Sequence, residues 1–272
     1  MKNQDFQFCF DILFDQRIDS YIPIAYVLNN CETITYVDKK ATDAVLKNFG
    51  IEHETLDPNI KLILDICEVL KPENLFKKFE KNPKSKKTFL DLLNDVKLKP
   101  IIKNYIDLKI NQFLNIVVEN QYPISFQLNK EKDFYNTRIS TQNPILEAKL
   151  FFDKKATGMD YALQLFDGEK LFSPKDKNIT ILLNEPSWLV FDKKLFRLNA
   201  INSNKVKPFL TKNTIEIPEN TVSVYFEKFI KDIVKKVDIQ ANGFNVITKN
   251  EIKNCQIVTV HDFFKNKYLI DL

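Results

Sequence analysis

The chain has 272 residues, 44% of them hydrophobic with 23 Phe among them, which is ample for a large buried core and too apolar for a disordered chain. Lys and Arg number 40 against 36 Asp and Glu, so the net charge of +4 provides no global basic field, and affinity for a polyanion has to rest on local patches. No run approaches the ~18 apolar residues of a membrane span, Met1-Lys2-Asn3-Gln4-Asp5 does not read as a signal peptide, and Cys9, Cys31, Cys67 and Cys255 stand far apart with no Cys-x-x-Cys pair. That spacing excludes a zinc ribbon and fits reduced thiols in a cytoplasmic protein with no membrane partner.

Residues 6–14 alternate, with Phe6, Phe8, Phe10, Ile12 and Phe14 on one side and Gln7, Cys9 and Asp11 on the other, which predicts a strand with one buried face. Residues 22–28 and 33–37 read as two more strands. The period then becomes helical. Asp57-Pro58 is a cap followed by proline at the first helical position, and Ile60, Ile63, Leu64, Cys67 and Leu70 form the stripe behind it. Ser85 is expected to cap a second helix carrying Phe89, Leu92, Leu93 and Val96. Pro100 opens a third, whose wide apolar face (Ile102, Tyr105, Ile106, Phe113, Val117) marks it as central. Residues 129–144, polar and containing Pro144, mark a boundary or an exposed excursion. The chain is therefore divided into an N-terminal α+β region over 1–120 and a β-rich region over 121–272.

In the second region Asp167-Gly168 and Asn242-Gly243 each sit between strand patterns and predict hairpins, because type I′ turns need positive φ. A third hairpin pairs 187–191 with 195–198 around Asp192-Lys193-Lys194. After Pro218 a helix is expected over 221–236, with Val222, Phe226, Phe229, Ile230, Ile233 and Val237 as its apolar stripe and Glu227, Lys228, Lys231, Lys235 and Lys236 on its wet face. The expected class is α+β: a helical half on a small sheet, then a mostly antiparallel half with one long amphipathic helix.

Nucleotide chemistry of the common types is excluded by the glycines. A phosphate-cradling loop needs glycines near a Lys-Ser/Thr pair, and Gly50, Gly158, Gly168 and Gly243 are followed by Ile51, Met159, Glu169 and Phe244. The histidines, His53 and His261, share no metal spacing, and each reads as structural. Glu147-Ala148-Lys149, with Asp133 upstream, has the short form of a metal-dependent nuclease element, although such a tripeptide is common on solvated strand faces. No cofactor is expected. Basic patches give a second candidate chemistry. Residues 193–212 carry Lys193, Lys194, Arg197, Lys205, Lys207 and Lys212 with no acid, and residues 71–87 carry seven lysines against Glu73 and Glu80. Basic side chains in a line suit phosphates, and an aromatic neighbour such as Phe196 suits base stacking. Pro186 is read as ending one strand and starting the next, and Trp188 as a core anchor of a central strand that is apolar on both faces.

The string Asn184-Glu185-Pro186-Ser187-Trp188-Leu189-Val190 continues through Lys194-Leu195-Phe196, Val206-Lys207-Pro208-Phe209-Leu210, Thr214-Ile215-Glu216-Ile217-Pro218, Tyr225-Phe226-Glu227-Lys228-Phe229 and Ala241-Asn242-Gly243-Phe244. In this order it resembles the N-terminal, non-catalytic region of bacterial Swi/Snf-type DEAD/DEAH-box helicases, most specifically over 181–244, and Phe6–Phe14 is similar to their opening strand. The resemblance implies an accessory module beside a translocating ATPase, engaging DNA, RNA or the motor domain. The Walker lysine, the acid pair and the arginine motif of that motor have no counterpart here, so the resemblance implies no catalytic residue. The alternatives are a protein-interaction module without nucleic-acid affinity and a metal-dependent nuclease using Glu147 and Lys149.

Overall fold

The computed structural model describes residues 6–30, 35–82, 86–128, 130, 133–142, 144–230, 233, 236–249 and 267–271. The fold is α+β, in two compact units: Met1–Pro144 with Lys193–Leu195, and Ile145–Asp192 with Phe196–Leu272. The division at 120/121 drawn from the sequence falls between a helix and a strand of the first unit, and the chain changes unit after Pro144.

The first unit holds a five-stranded sheet in the order β3-β2-β1-β4-β5, built from β1 (Phe6–Asp15), β2 (Ser20–Asn30), β3 (Thr35–Lys40), β4 (Ile124–Phe126) and β5 (Arg138–Ile139). Its helices are α1 (Asp43–Asn48), α2 (Pro58–Val69), α3 (Pro72–Phe79), α4 (Phe89–Asn94), α5 (Leu98–Glu119) and α6 (Phe134–Thr137). Asp57 caps α2 as expected, accepting from the amides of Asn59 and Ile60. The helix expected behind Ser85 starts later, at α4. Thr88 and Asp91 cap it reciprocally, and Ser85 lies outside the described residues. The strand expected over 33–37 is β3, of which residues 33–34 lie outside the described residues. The lysine-rich stretch from 71 contains α3, whose Leu75 is fully buried.

The expected one-sided strand 6–14 is buried on both faces over Phe8–Ile12, whereas Phe14, expected on the buried side, is 40% exposed near the strand end. Phe8, Phe10 and Ile12 face one core, where Phe10 meets Phe113 of α5 edge-on at 6.1 Å. Cys9 and Asp11, read as the outer face, are each 1% exposed, and Cys9 packs with Tyr26, Leu28 and Phe134. A buried carboxylate needs donors. Asp11 accepts from the Ser125 hydroxyl at 2.7 Å and from the Leu128 amide at 3.1 and 3.2 Å, which ties β1 to its parallel neighbour β4 and to the segment after it. Desolvation still dominates and raises the carboxyl above the usual range, against the hydrogen bonds of Ser125, Leu128 and Ile12. Burial likewise pushes the thiols of Cys9 and Cys67 up to about 12, so both stay protonated and inert at neutral pH.

The second unit holds an eight-stranded sheet in the order β12-β7-β6-β11-β10-β9, with β13 also on β6 and β8 on β7. Its strands are β6 (Ile145–Lys155), β7 (Gly158–Phe166), β8 (Leu171–Phe172), β9 (Thr180–Leu183), β10 (Ser187–Phe191), β11 (Lys194–Leu198), β12 (Ile215–Pro218) and β13 (Asp238–Asn242). The helices are α7 (Ser203–Val206) and α8 (Val222–Tyr225), and β14 (Asn245–Lys249) pairs with β15 (Lys267–Asp271).

The hairpin of β10 and β11 is as expected. Asp192 and Lys193 take φ of 47° and 56°, the two positive values a type I′ turn requires. At Asp167-Gly168 the strands also fold back, over a longer loop that Asp167 closes by accepting from the amides of Glu169 and Lys170. Asn242-Gly243 turns the chain with Gly243 at φ 84° but makes no hairpin: β13 pairs with β6 and β14 with β15. Those two pairings are parallel, as is β11 with β6, while β6 with β7, β7 with β8, β7 with β12 and β9 with β10 are antiparallel, so the unit is mostly antiparallel as expected but mixed. The helix expected over 221–236 begins as α8 and passes into a π-helical turn at Phe226–Ile230. Val222, Phe226, Ile233 and Val237 face the core, while Lys231 and Lys235 lie outside the described residues.

Trp188 is 1% exposed on β10, and all five residues of that strand are buried. Leu189 and Phe191 enter the main core of the unit, and Trp188 and Val190 are buried on the opposite face. Trp188→Ala is expected to cost about 3–5 kcal/mol in equilibrium denaturation, and a neutral substitution would contradict its burial. Asp11 sets a pH dependence. Its folded form holds the proton more tightly than the unfolded chain, so its contribution is fully present below the ordinary carboxylate value of about 4 and is lost as pH rises through the raised folded value. Asp11→Asn removes that loss. Its stability relative to the parent should improve from about pH 4 towards neutrality, and a difference independent of pH would refute this role.

Candidate functional site

Two irregular turns of the second unit carry the site. The first, Asn184 to Ser187, joins β9 to β10 and contains a cis Glu185–Pro186 peptide. The second runs from the end of β11 to α7. There the Asn199 amide donates to the Leu146 carbonyl, and Ala200 takes φ 71° with its amide bonded to Asn199 Oδ1 at 3.0 Å. A left-handed alanine is strained, and such residues persist where neighbouring structure fixes them. Two buried hydroxyls provide that fixation. Ser187 donates to the Asn184 carbonyl at 2.7 Å and reaches that of Ile201 at 3.2 Å. Ser203 Oγ donates to the Leu183 carbonyl at 3.2 Å, and its amide donates to the Asn184 carbonyl at 3.2 Å.

These turns and the C-terminal helical segment line an open cleft of about 540 Å³. Among the described residues Arg197, Lys205, Lys228 and Lys236 border it, with one acid, Glu185. Each cation points there for a local reason. Phe196 and Leu198 enter the core, so strand alternation turns Arg197 outwards. Ser203 and Val206 are fully buried in α7, which presents Lys205. Phe226, Ile233 and Val237 are buried, which leaves Lys228 and Lys236 exposed. Among the described residues, no ion pair includes Arg197, Lys228 or Lys236. Elsewhere in the unit Lys149 meets Asp238 at 3.3 Å, Lys155 pairs with Asp153, and Lys177 pairs with Asp192, while Lys170, Lys175, Lys207 and Lys212 are, like Arg197, in no ion pair among the described residues. Cations of one sign in a concave site focus the potential and favour an anionic ligand.

Of the six basic residues expected from the sequence, the cleft brings together Arg197 and Lys205. Lys193 and Lys194 belong to the first unit, where the Ser140 amide donates to the Lys193 carbonyl and the Leu195 amide to that of Ser140. Lys207 and Lys212 are exposed outside the cleft. Lys228 and Lys236, read only as a wet helix face, complete it. Pro186 lines the cleft, whereas Trp188 does not. Phe196, expected as a stacking surface for bases, is 2% exposed and stacks on Phe191 at 4.4 Å, so it is closed to a ligand. The lysines of 71–87 are dispersed: Lys71 pairs with Glu68, and Lys78 lies 4.6 Å from the ring of Tyr105.

The nuclease element does not assemble a visible site. Asp133 spends its carboxylate capping α6 through the Asn136 amide, Glu147 is exposed on β6, and Lys149 pairs with Asp238. Among the described residues, no group of three or more His, Cys, Asp and Glu side chains is placed to hold a metal ion. His53 begins a short 3-10 turn, His53–Thr55, and His261 lies outside the described residues.

Removing one clamp hydroxyl tests the local architecture. Ser203→Ala leaves the Leu183 carbonyl without that donor and is expected to cost about 1–3 kcal/mol in equilibrium denaturation. A neutral variant would show that the turns hold without it. Comparisons of the chain with protein-family models, with curated proteins and with solved structures give no match.

Proposed function

We propose that this chain is a non-enzymatic accessory module of a bacterial, cytoplasmic Swi/Snf-type helicase-like protein, and that its second unit engages nucleic acid through the basic cleft. The observation that carries the reading is the convergence of Arg197, Lys205, Lys228 and Lys236 on one cleft, with Glu185 the one acid among the described lining residues. Phosphates neutralise such a site directly, and an arginine fork matches phosphate oxygens two at a time. The ordered run from Asn184-Glu185-Pro186 to Ala241-Asn242-Gly243-Phe244 supports the helicase context. The motor domain of such a protein is the other partner this context implies. Among the described residues, no helix is long and apolar enough to cross a membrane.

The reading is quantitative. Four phosphate contacts give a log–log salt slope of about −2.8 for a single strand and about −3.6 for a duplex, so raising salt from about 50 to about 200 mM should weaken binding roughly 50- to 150-fold. Fluorescence anisotropy with labelled DNA and RNA measures this. Binding that is absent at the lower salt, or that ignores salt, would overturn the reading.

A further inference from the structure

The shape of the cleft favours one kind of phosphate over another. Its walls come from three separate stretches, 185–187, 197–205 and 228–236, and the volume between them, about 540 Å³, is that of a site for one compact group. Arg197 enters from the second stretch and Lys228 and Lys236 from the third, all three exposed. Beside them Leu198, Ile201 and Ile233 line the cleft and are buried, so the charges stand over an apolar floor. Cations beside low-dielectric walls focus the potential into the space between them, and a ligand gains from that potential in proportion to its charge. An internal phosphate of a strand is a diester. It carries one charge, is tethered through two of its oxygens and leaves two for contact. The phosphate at the end of a strand is a monoester. It carries about −1.5 to −2 at neutral pH and leaves three oxygens free. Its single tether also lets it enter a concave site end-on. An arginine fork takes two such oxygens together, which leaves the third to the ammonium groups.

We infer that the cleft is a terminal-phosphate site, which receives the phosphomonoester at the end of a strand in preference to the diesters within it. This rests on the nucleic-acid reading above and adds to it a ligand class: a dianionic phosphate carried by a single ester bond, with the diesters next to it completing the contacts. A free mononucleotide carries the same group, and the strand is distinguished from it by those neighbouring diesters.

The test uses the full chain and fluorescence anisotropy at low salt, with internally labelled DNA strands carrying equal numbers of phosphates. One is phosphorylated at its 5′ end, one at its 3′ end, and the third is one nucleotide longer with hydroxyls at both ends. At about pH 8 the better of the two phosphorylated strands is expected to bind at least about tenfold tighter than the hydroxyl strand. That advantage follows the second ionisation of the monoester, at about 6: it is fully present above this value and is lost as pH falls through it, so at about pH 5 the strands should bind within about twofold of one another. Taking the ratio of the strands at each pH separates this from titration of the protein itself. The double variant Arg197→Gln, Lys228→Gln changes two exposed side chains and should reduce the advantage at pH 8 to within about threefold. Lys207→Gln with Lys212→Gln, outside the cleft, should leave it unchanged. A nucleoside monophosphate should displace the phosphorylated strand with an affinity at least about tenfold weaker than the strand's own, since it lacks the neighbouring diesters. Equal binding of all three strands at pH 8 would overturn the inference while leaving nucleic-acid binding intact. So would an advantage that persists at pH 5, since charge would not be its cause, or one that survives the cleft variant, since the end would then be held elsewhere. A mononucleotide that binds as tightly as the strand would overturn the strand end as the source of the group. No binding of any strand would remove both the inference and the reading beneath it.

Discussion

Two serine hydroxyls hold together the turns that line the basic cleft. The turns at 184–187 and 199–203 run between the ends of β9 and β10 and of β11 and α7, and there the carbonyls of Leu183, Asn184 and Ile201 accept from serine hydroxyls. A buried carbonyl without a donor costs about 1–3 kcal/mol, more than an ordinary hydrogen bond contributes net, so the structure is sensitive to the absence of these bonds more than to their strength. Ser187 and Ser203, 2% and 0% exposed, provide the donors from inside the fold. Tied to each other, the turns bring Pro186 and Asn202 to the cleft beside Arg197 and Lys205.

Burial of the residues beside them explains how like charges can be held close. Four cations with one acid repel one another, and a flexible rim would let them drift apart into solvent. Here Arg197 is fixed by strand alternation between two core residues, and Lys205 by the buried residues around it in α7. Burial of Phe226 and Ile233 anchors the segment that carries Lys228 and Lys236. Packing, supplied by the large apolar core, thus outweighs a local electrostatic cost that an anion relieves. The lysines of the same unit that lie near carboxylates show the ordinary alternative.

Local signals in the sequence carried much of this. Period-two alternation marked β1, a run apolar on both faces marked β10, Asp57-Pro58 marked the start of α2, and the polar turn after Phe191 marked a hairpin with the right partners. What was not legible is what depends on distant neighbours. Cys9 and Asp11 look like a wet face because Asp is polar, and only the donors of Ser125 and Leu128, more than a hundred positions away, make their burial possible. Asn242-Gly243 has hairpin composition, yet β6 offers β13 a parallel edge, which a turn signal cannot reveal. The basic run 193–212 reads as one patch along the chain, but the fold keeps Arg197 and Lys205 and adds Lys228 and Lys236 from a helix whose polar face looks ordinary. Proximity in sequence therefore named two of the four cations that line the cleft, Arg197 and Lys205.

The most direct test of the cleft is residue-resolved. In an NMR titration of the isotopically labelled full chain with a short DNA strand, backbone amide shifts should concentrate at Ser187, Arg197, Ala200 to Lys205, Lys228 and Lys236, with Lys193, Lys194, Lys207 and Lys212 little changed. Shifts confined to those last four residues, or no shifts at all, would contradict the account.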